Sequence, residues 1–262
     1  HIEGFRGIKE LTLNNLSQIN LLVGKNNCGK TSVLEAIYLH LGSSLSTAAL
    51  SVQYARNINQ KNDDEFSSLF YNLDFKNKLS IAALLSNDQN LLLTIKPNYE
   101  KQTSVNQNFF TGVDQSKISG LDLEYSFLPI ESNNLKLNGS ISISSNNYIV
   151  IPVLSQKIKL AYLTDNSISN NLSEKIELLM IDKKLNLIVN ILKEIEPNLL
   201  DIKIGNDQKI YVDIGLSKLF PLNLLGEGFK RTLSIIATLY TLSGGILLID
   251  EIENGLYYES LN

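Results

Sequence analysis

The sequence predicts an α/β fold with a mostly parallel central sheet, to which an antiparallel β-meander and a helical subdomain are added. Three observations predict it. Near the start, the apolar run Ile19 to Val23 enters a glycine loop, after which Val33, Leu34, Ile37 and Leu41 recur at helical spacing. Near the end, Ile246 to Ile249 form the continuous apolar run of a parallel strand buried on both faces, and two carboxylates, Asp250 and Glu251, follow it directly. Between these, short β-like runs at Leu79 to Leu84, Asn90 to Ile95, Leu121 to Phe127, Leu135 to Ile143, Tyr148 to Leu154 and Ile158 to Leu163 are separated by Asn, Ser, Gly and Asp turns, the pattern of a meander.

The first residues, Ile2 to Leu13, alternate as a strand, a glycine-containing turn and a second strand, with Ile19 to Val23 as a third. The loop that follows, Gly24-Lys25-Asn26-Asn27-Cys28-Gly29-Lys30-Thr31-Ser32, fulfils G-x-x-x-x-G-K-[ST] between a strand and a helix, the context that gives this motif its meaning. Its glycines let backbone N–H groups face phosphates, and the following helix adds its positive end. Lys30 then lies against the β- and γ-phosphates and the Thr31 hydroxyl ligates Mg²⁺. Cys28 reads as a small space-filler rather than a nucleophile. Asn26 has two open readings, the terminal phosphate or the turn itself.

From Gly42 to Asp74 the chain is polar, Asn- and Ser-rich and weakly helical, which predicts a surface segment. Gln53, Arg56 and Gln60 within it are either water or phosphate contacts or simply solvated. A long polar loop is expected from Lys101 to Lys117. Apolar spacing between Ser173 and Glu196 predicts one or two amphipathic helices ended by Pro197, and a strand pair is expected at Leu200 to Ile204 and Lys209 to Ile214. Leu233, Ile236, Ala237 and Tyr240 then continue a helix whose N-terminus is Gly226-Glu227-Gly228. By itself that is an ordinary helix entrance. Glycines there also permit close approach of an anion, with Glu227 favouring the helix dipole and Lys230 and Arg231 adding positive charge.

At the strand end, Asp250 suits a Mg²⁺ ion held through its water shell, and Glu251 suits a base that orients and deprotonates an attacking water. That stretch alone fits a solvated acidic turn equally well. Its partners decide the matter: about 220 residues separate Lys30 from Asp250, and the glycine-flanked helix start precedes Asp250 by about 25. With Gly4-Phe5-Arg6-Gly7, the phosphate loop, Leu225 to Arg231 and Leu247 to Leu256, the sequence resembles the ABC-type ATPase heads of the SMC, RecF and OLD group, closest to the OLD-like ATPases of DNA repair and bacteriophage defence.

The resemblance implies a homodimer that sandwiches ATP and Mg²⁺, hydrolysing ATP to ADP and phosphate. It implies that Arg6 approaches the nucleotide, that Gly226, Glu227 and Gly228 meet the γ-phosphate of the opposite subunit, and that Asn254-Gly255-Leu256 crosses the interface. Three departures stand out. Gly226 occupies the place of a signature serine, Tyr257 stands where a histidine is common, and the strand and switch histidine expected downstream lie past Asn262. The sequence therefore reads as one head truncated at its C-terminus, with a phosphate-loop lobe at 1–75, a β insertion at 76–165, and a helical, signature and acidic-strand lobe at 166–262. A TOPRIM-type nuclease domain or a separate effector subunit is the implied partner beyond it.

Composition sets the remaining bounds. A net charge of −4 and pI near 5.3 argue against a broad nucleic-acid footprint, which leaves DNA binding open only through a local basic groove. One cysteine excludes an intrachain disulfide, and two histidines argue against a multi-histidine metal site. Without an apolar run of roughly 18 to 20 residues or a leader, a cytoplasmic location with no membrane contact is expected. The rival readings are a nucleotide-dependent sensor or clamp with little hydrolysis, a transporter motor subunit, and a P-loop kinase. The signature lacks Ser-Gly-Gly-Gln and no arginine-rich lid is evident, which disfavours the last two.

Overall fold

The computed structural model describes the chain apart from residues 43–44, 57–63, 86–89, 100–117, 129–134, 145–146, 152–157, 166, 169 and 255–262. The expected loop at Lys101 to Lys117 and the residues Gln60, Gly255, Leu256 and Tyr257 therefore lie outside the described residues. The chain divides into two compact units, His1–Ile158 and Lys159–Asn262.

The first unit is built on a seven-stranded sheet, order β2-β1-β3-β4-β5-β6-β7, antiparallel at every pairing. Its strands are β1 (Ile2–Phe5), β2 (Ile8–Leu11), β3 (Leu79–Leu84), β4 (Asn90–Tyr99), β5 (Ile118–Leu128), β6 (Leu135–Ser144) and β7 (Asn147–Ile151). Period-two alternation explains the pairing: Leu91, Leu93 and Ile95 of β4 and Leu121, Leu123 and Tyr125 of β5 are buried together, with Leu93 opposite Tyr125 and Ile95 opposite Leu123. Each such leucine stabilises the fold by roughly 2 kcal/mol relative to an exposed one. A Cβ at Gly120 would come within 1.9 Å of the Ile141 carbonyl oxygen, so a side chain there would push β5 from β6.

Helices α1 (Lys30–Leu41) and α2 (Leu45–Tyr54) supply the other layer, followed by the short α3 (Asp64–Ser67). α1 packs against β1 and β3 through Val33, Ala36 and Leu39, and α2 packs against α1 through a face that buries Ala48, Ala49 and Val52. The stretch Gly42 to Asp74 is thus no surface segment: Val52, Gln53, Phe66, Leu69 and Phe70 are all buried. Its polar composition misleads because several polar groups are satisfied inside, Gln53 by Ser68 at 2.9 Å.

The second unit holds the parallel pair β8 (Leu160–Leu163) and β12 (Ile246–Ile249), in register from Leu160 opposite Ile246 to Leu163 opposite Ile249. Between them run α4 (Leu172–Ile181), α5 (Leu185–Leu192), the antiparallel strands β9 (Asp201–Ile204), β10 (Ile210–Asp213) and β11 (Phe220–Pro221), and α6 (Glu227–Thr241). Ile176, Leu179, Ile188, Leu192, Val212 and Leu233 join these elements in one buried cluster.

Three expectations about the strands are corrected. The mostly parallel central sheet is not seen among the described residues; the large sheet is antiparallel, and β8 with β12 is the parallel pair. The run Ile158 to Leu163 accordingly leaves the meander. Ile19 to Val23 is no strand either: Ile19, Leu21 and Val23 are 87%, 74% and 84% exposed. Here a local turn competes with the ladder, since Asn20 Oδ1 accepts from the Ser17 backbone N–H at 2.8 Å and Asn20 Nδ2 donates to the Ser17 carbonyl at 2.7 Å.

His40, on α1, is buried against the Tyr125 ring at 5.5 Å between centroids, and neither of its ring nitrogens has a hydrogen-bond partner among the described residues. Burial, with a smaller effect of the positive chain terminus, pushes its pKa down to about 4, and burial pushes Tyr125 up to about 12. An unfolded chain binds the imidazole proton below about pH 6.5, whereas the folded chain binds it only near pH 4. His40 thus leaves stability intact above about pH 6.5 and erodes it as pH falls from there towards 4, by on the order of 3 kcal/mol in all. Urea unfolding at pH 7 and pH 5 checks this: the midpoint drops for the wild type, and the drop is smaller in His40→Leu.

Candidate nucleotide site

In the first unit the glycine loop closes onto the start of α1. Gly29 caps the helix with φ 95°, a left-handed conformation in which any other side chain is strained, and Asn27 takes φ 63°. The Val33 N–H donates to the Gly29 carbonyl at 3.0 Å, which begins the helix, and no side chain caps the N-terminus. The positive end of α1 is therefore presented to the loop. Lys30 turns back on the same loop, its Nζ donating to the carbonyls of Gly24 at 2.8 Å and Lys25 at 3.1 Å. Asn26 and Asn27 are exposed, and Cys28, a free thiol, sits against Gly24: a Cβ on that glycine would be 2.7 Å from Sγ.

Beneath the loop lies a charge cluster that sequence reasoning missed. Glu35, 1% exposed on α1, is ion-paired with Arg6 Nε at 2.8 Å and with Arg56 Nε at 2.7 Å. Arg56 Nη2 also donates to Glu35 Oε2 at 2.9 Å and reaches the Ser32 hydroxyl at 3.4 Å. Arg6 Nη2 donates to the Val52 carbonyl at 3.0 Å. Arg6, expected near the nucleotide, is thus buried against Glu35 and α2, and Ser32 is tied into the cluster from the helix start. The sequence signal was an acidic residue one turn after Ser32, on a helix that also buries Val33, Ala36 and Leu39.

In the second unit Asp250 and Glu251 follow β12. The Asp250 N–H donates to the Leu163 carbonyl of β8 at 2.9 Å, and its Oδ2 accepts from the Tyr162 hydroxyl at 3.4 Å. Of the β12 residues only Leu248 is fully buried, so this strand is less enclosed than its apolar run implied. Glu251 has φ 49°. Its Oε2 accepts from Asn254 Nδ2 at 2.6 Å, and its carbonyl accepts from Arg231 Nη2 at 2.6 Å. Arg231 also donates to the Asp250 carbonyl at 2.9 Å and is paired with Asp165, whose carboxyl is held below its usual range first by Arg231 and then by Asn254.

Gly226 is the N-cap of α6, and an added Cβ there would meet nothing within 4 Å. Glu227 is exposed in its first turn and lies 3.9 Å from Lys230. Arg231, by contrast, faces the acidic strand end of its own chain. The structure brings Asp250, Glu251 and Asn254 together with Arg231 and Asp165 in one unit, and Lys30 with Gly24 and Lys25 in the other.

A phosphate loop on an uncapped helix, with an acidic strand end beside a parallel neighbour, defines a P-loop ATPase domain. More particularly, the chain belongs to the family described as AAA domain, putative AbiEii toxin, Type IV TA system, whose model matches residues 19–262. It is similar to the ATP/GTP phosphatase of Helicobacter pylori, 25% identical over 293 residues that cover 99% of this chain and 76% of that protein. It is also similar to DNA replication and repair protein RecF of Shewanella pealeana, 37% identical over 105 residues, 38% of this chain and 26% of that protein. RecF of Shewanella sediminis is 41% identical over 85 residues, 32% of this chain and 22% of that protein. These relatives support the ABC/RecF-type part of the expected group rather than OLD-like proteins in particular. No helix among the described residues is long and apolar enough to cross a membrane.

A P-loop ATPase family implies use of a nucleotide and usually of Mg²⁺. In the first unit the Thr31 hydroxyl, and in the second the Asp250 carboxylate, are each hard oxygen donors of the kind Mg²⁺ takes, and among the described residues no group of three His, Cys, Asp or Glu gathers to hold a metal unaided. Magnesium needs no such cage, since it keeps waters and is held by one or two protein oxygens plus phosphate.

Removing the shared anion tests the charge cluster. Glu35→Gln leaves two guanidinium groups facing an amide, at a cost of about 3 kcal/mol, which corresponds to a Tm lower by roughly 6–12 °C. Thermal unfolding followed by circular dichroism should also show a smaller loss for Arg56→Met, because the Arg56 side chain is 38% exposed.

Proposed function

We propose that this chain is the ATP-binding and ATP-hydrolysing head of an SMC/RecF/OLD-like protein, which dimerises around ATP and Mg²⁺ to control a nuclease activity in DNA repair or anti-phage defence. The observation that carries the reading is the complete phosphate loop on the uncapped α1, in a chain of this family that also has Asp-Glu at the end of β12. The similarity to an ATP/GTP phosphatase and to RecF proteins supports hydrolysis and a DNA-linked setting.

In this reading Lys30 exchanges its loop carbonyl partners for the β- and γ-phosphates, and the Gly24 to Ser32 backbone with the α1 dipole holds the phosphate charge. Thr31 and Asp250 would hold Mg²⁺, which neutralises charge that develops on the phosphates. Glu251 accepts a proton from the attacking water as its oxygen bonds to the γ-phosphorus; the bond from that phosphorus to the bridging oxygen breaks, and ADP leaves. Gly226 to Gly228, at the start of α6, would meet the nucleotide of a second copy, so that ATP joins two heads and hydrolysis releases them. Partners beyond the dimer are a nuclease domain or effector subunit; the reading places the protein in the cytoplasm.

The rival reading is a nucleotide-dependent sensor or clamp with little hydrolysis of its own. Phosphate release with and without DNA separates the two.

Lys30→Ala is expected to abolish binding of a fluorescent ATP analogue. Glu251→Gln should retain binding, lower kcat by about 10²- to 10⁴-fold, and accumulate an ATP-bound dimer on size-exclusion chromatography. Wild-type turnover by Glu251→Gln would remove Glu251 from the role of base.

A further inference from the structure

Glu251 adopts a left-handed backbone conformation, φ 49°, although nothing about a glutamate favours it. Such a residue costs on the order of 1 kcal/mol or more and persists only where its surroundings over-determine it. Those surroundings form a closed ring. Arg231, 7% exposed, donates from Nη2 to the Asp250 carbonyl at 2.9 Å and to the Glu251 carbonyl at 2.6 Å. Its Nη1 is paired with Asp165 Oδ1. The other Asp165 oxygen accepts from Asn254 Nδ2 at 2.9 Å, and that same amide donates to Glu251 Oε2 at 2.6 Å. Glu251 is thus gripped at both ends, by its carbonyl through Arg231 and by its carboxylate through Asn254, and Asp165 joins the two grips.

The geometry points to Arg231 and Asp165 as positioning residues for Glu251, a role that rests on Glu251 being the hydrolytic base. A planar guanidinium is suited to it, because one nitrogen can bind two successive carbonyls while another holds a carboxylate in a fixed fork. A lysine, with one ammonium, cannot span both. Asp165 is half exposed at the end of β8 and has no core to fill, so its carboxylate is there for its two hydrogen-bond partners. Arg231 also lies in the first turns of α6, whose N-terminus is the glycine entrance at Gly226. A load on that end of the helix therefore reaches the base through one side chain.

Steady-state phosphate release tests this with Asp165→Asn and Arg231→Lys, alone and combined with Glu251→Gln. The expected result is a fall in kcat of tenfold or more for Asp165→Asn and Arg231→Lys, with the KM for ATP within about twofold of wild type. Asp165→Glu should restore part of the rate. Because these residues act through Glu251, adding Asp165→Asn to Glu251→Gln should lower the residual rate no further. The proposal is overturned if Asp165→Asn and Arg231→Lys keep the wild-type kcat, or if Asp165→Asn lowers the rate by the same factor with and without Glu251→Gln. Should Arg231→Lys fail to fold, Asp165→Asn decides alone. If Glu251→Gln is inactive while Asp165→Asn turns over normally, only the positioning role falls. If Glu251→Gln turns over at the wild-type rate, the assignment of the base falls with it.

Discussion

The buried carboxylate of Glu35 is the constraint around which the first unit is arranged. A lone charge with 1% exposure is untenable in an apolar surrounding, so the chain must bring cations to it, and it brings two from distant points in sequence. Arg6 comes from the turn between β1 and β2, and Arg56 from just past α2. Their convergence fixes how α1 lies against the first strand and against α2. Since Lys30 and Thr31 open that same helix, the orientation of the phosphate loop is tied to this ion cluster, which reaches the loop at Ser32. Buried pairs of this kind contribute little net stability compared with an apolar core of the same volume, and what they provide is one permitted arrangement.

The second unit reaches a comparable end with the charges reversed. There the buried group is a guanidinium, Arg231, and the groups drawn to it are the Asp165 carboxylate and the carbonyls of Asp250 and Glu251. In each unit a charged side chain on a helix is tied to the start or end of a functional loop. The apolar clusters supply the bulk of the stability, and in each unit the ionic hub determines where the polar residues around it point.

What was legible in the sequence follows from the range over which each signal acts. Local periodicity found α1, α4, α5 and α6, and alternation found β3 to β6 within a few residues, because helix spacing and a half-buried strand leave their mark on contiguous residues. The motif found the loop from Gly24 to Ser32 because its chemistry is equally local. Pairing partners are another matter. Ile158 to Leu163 looks the same whether it joins a meander or lies parallel to β12, and Ile19 to Val23 reads as a buried strand although Ser17 and Asn20 hold its start in a turn. Glu35 was missed because its meaning lies in Arg6 and Arg56, 29 and 21 residues away. Asp165 was missed for the same reason, since its partners Arg231 and Asn254 are 66 and 89 residues distant.

Conflict between residue type and backbone is the remaining signal, and it can be read only once dihedrals are known. Several positive-φ residues are asparagines, Asn15, Asn27, Asn72 and Asn171, which bear that conformation at little cost. Arg6 at φ 50° and Glu251 at φ 49° bear it at a greater one, in turns where asparagine or glycine would be the cheaper choice. Neither smaller residue could do what these side chains do. Arg6 reaches Glu35 from that turn, and Glu251 presents a carboxylate beside the end of β12. Among the described residues Leu73, Lys183 and Gln208 share that conformation, but Arg6 and Glu251 are the two whose side chains enter the clusters described above, one beside the start of α1 and one at the acidic strand end. At Arg6 and Glu251 the strain is informative because it coincides with these side-chain contacts, so there the side chain as well as the backbone determines the residue.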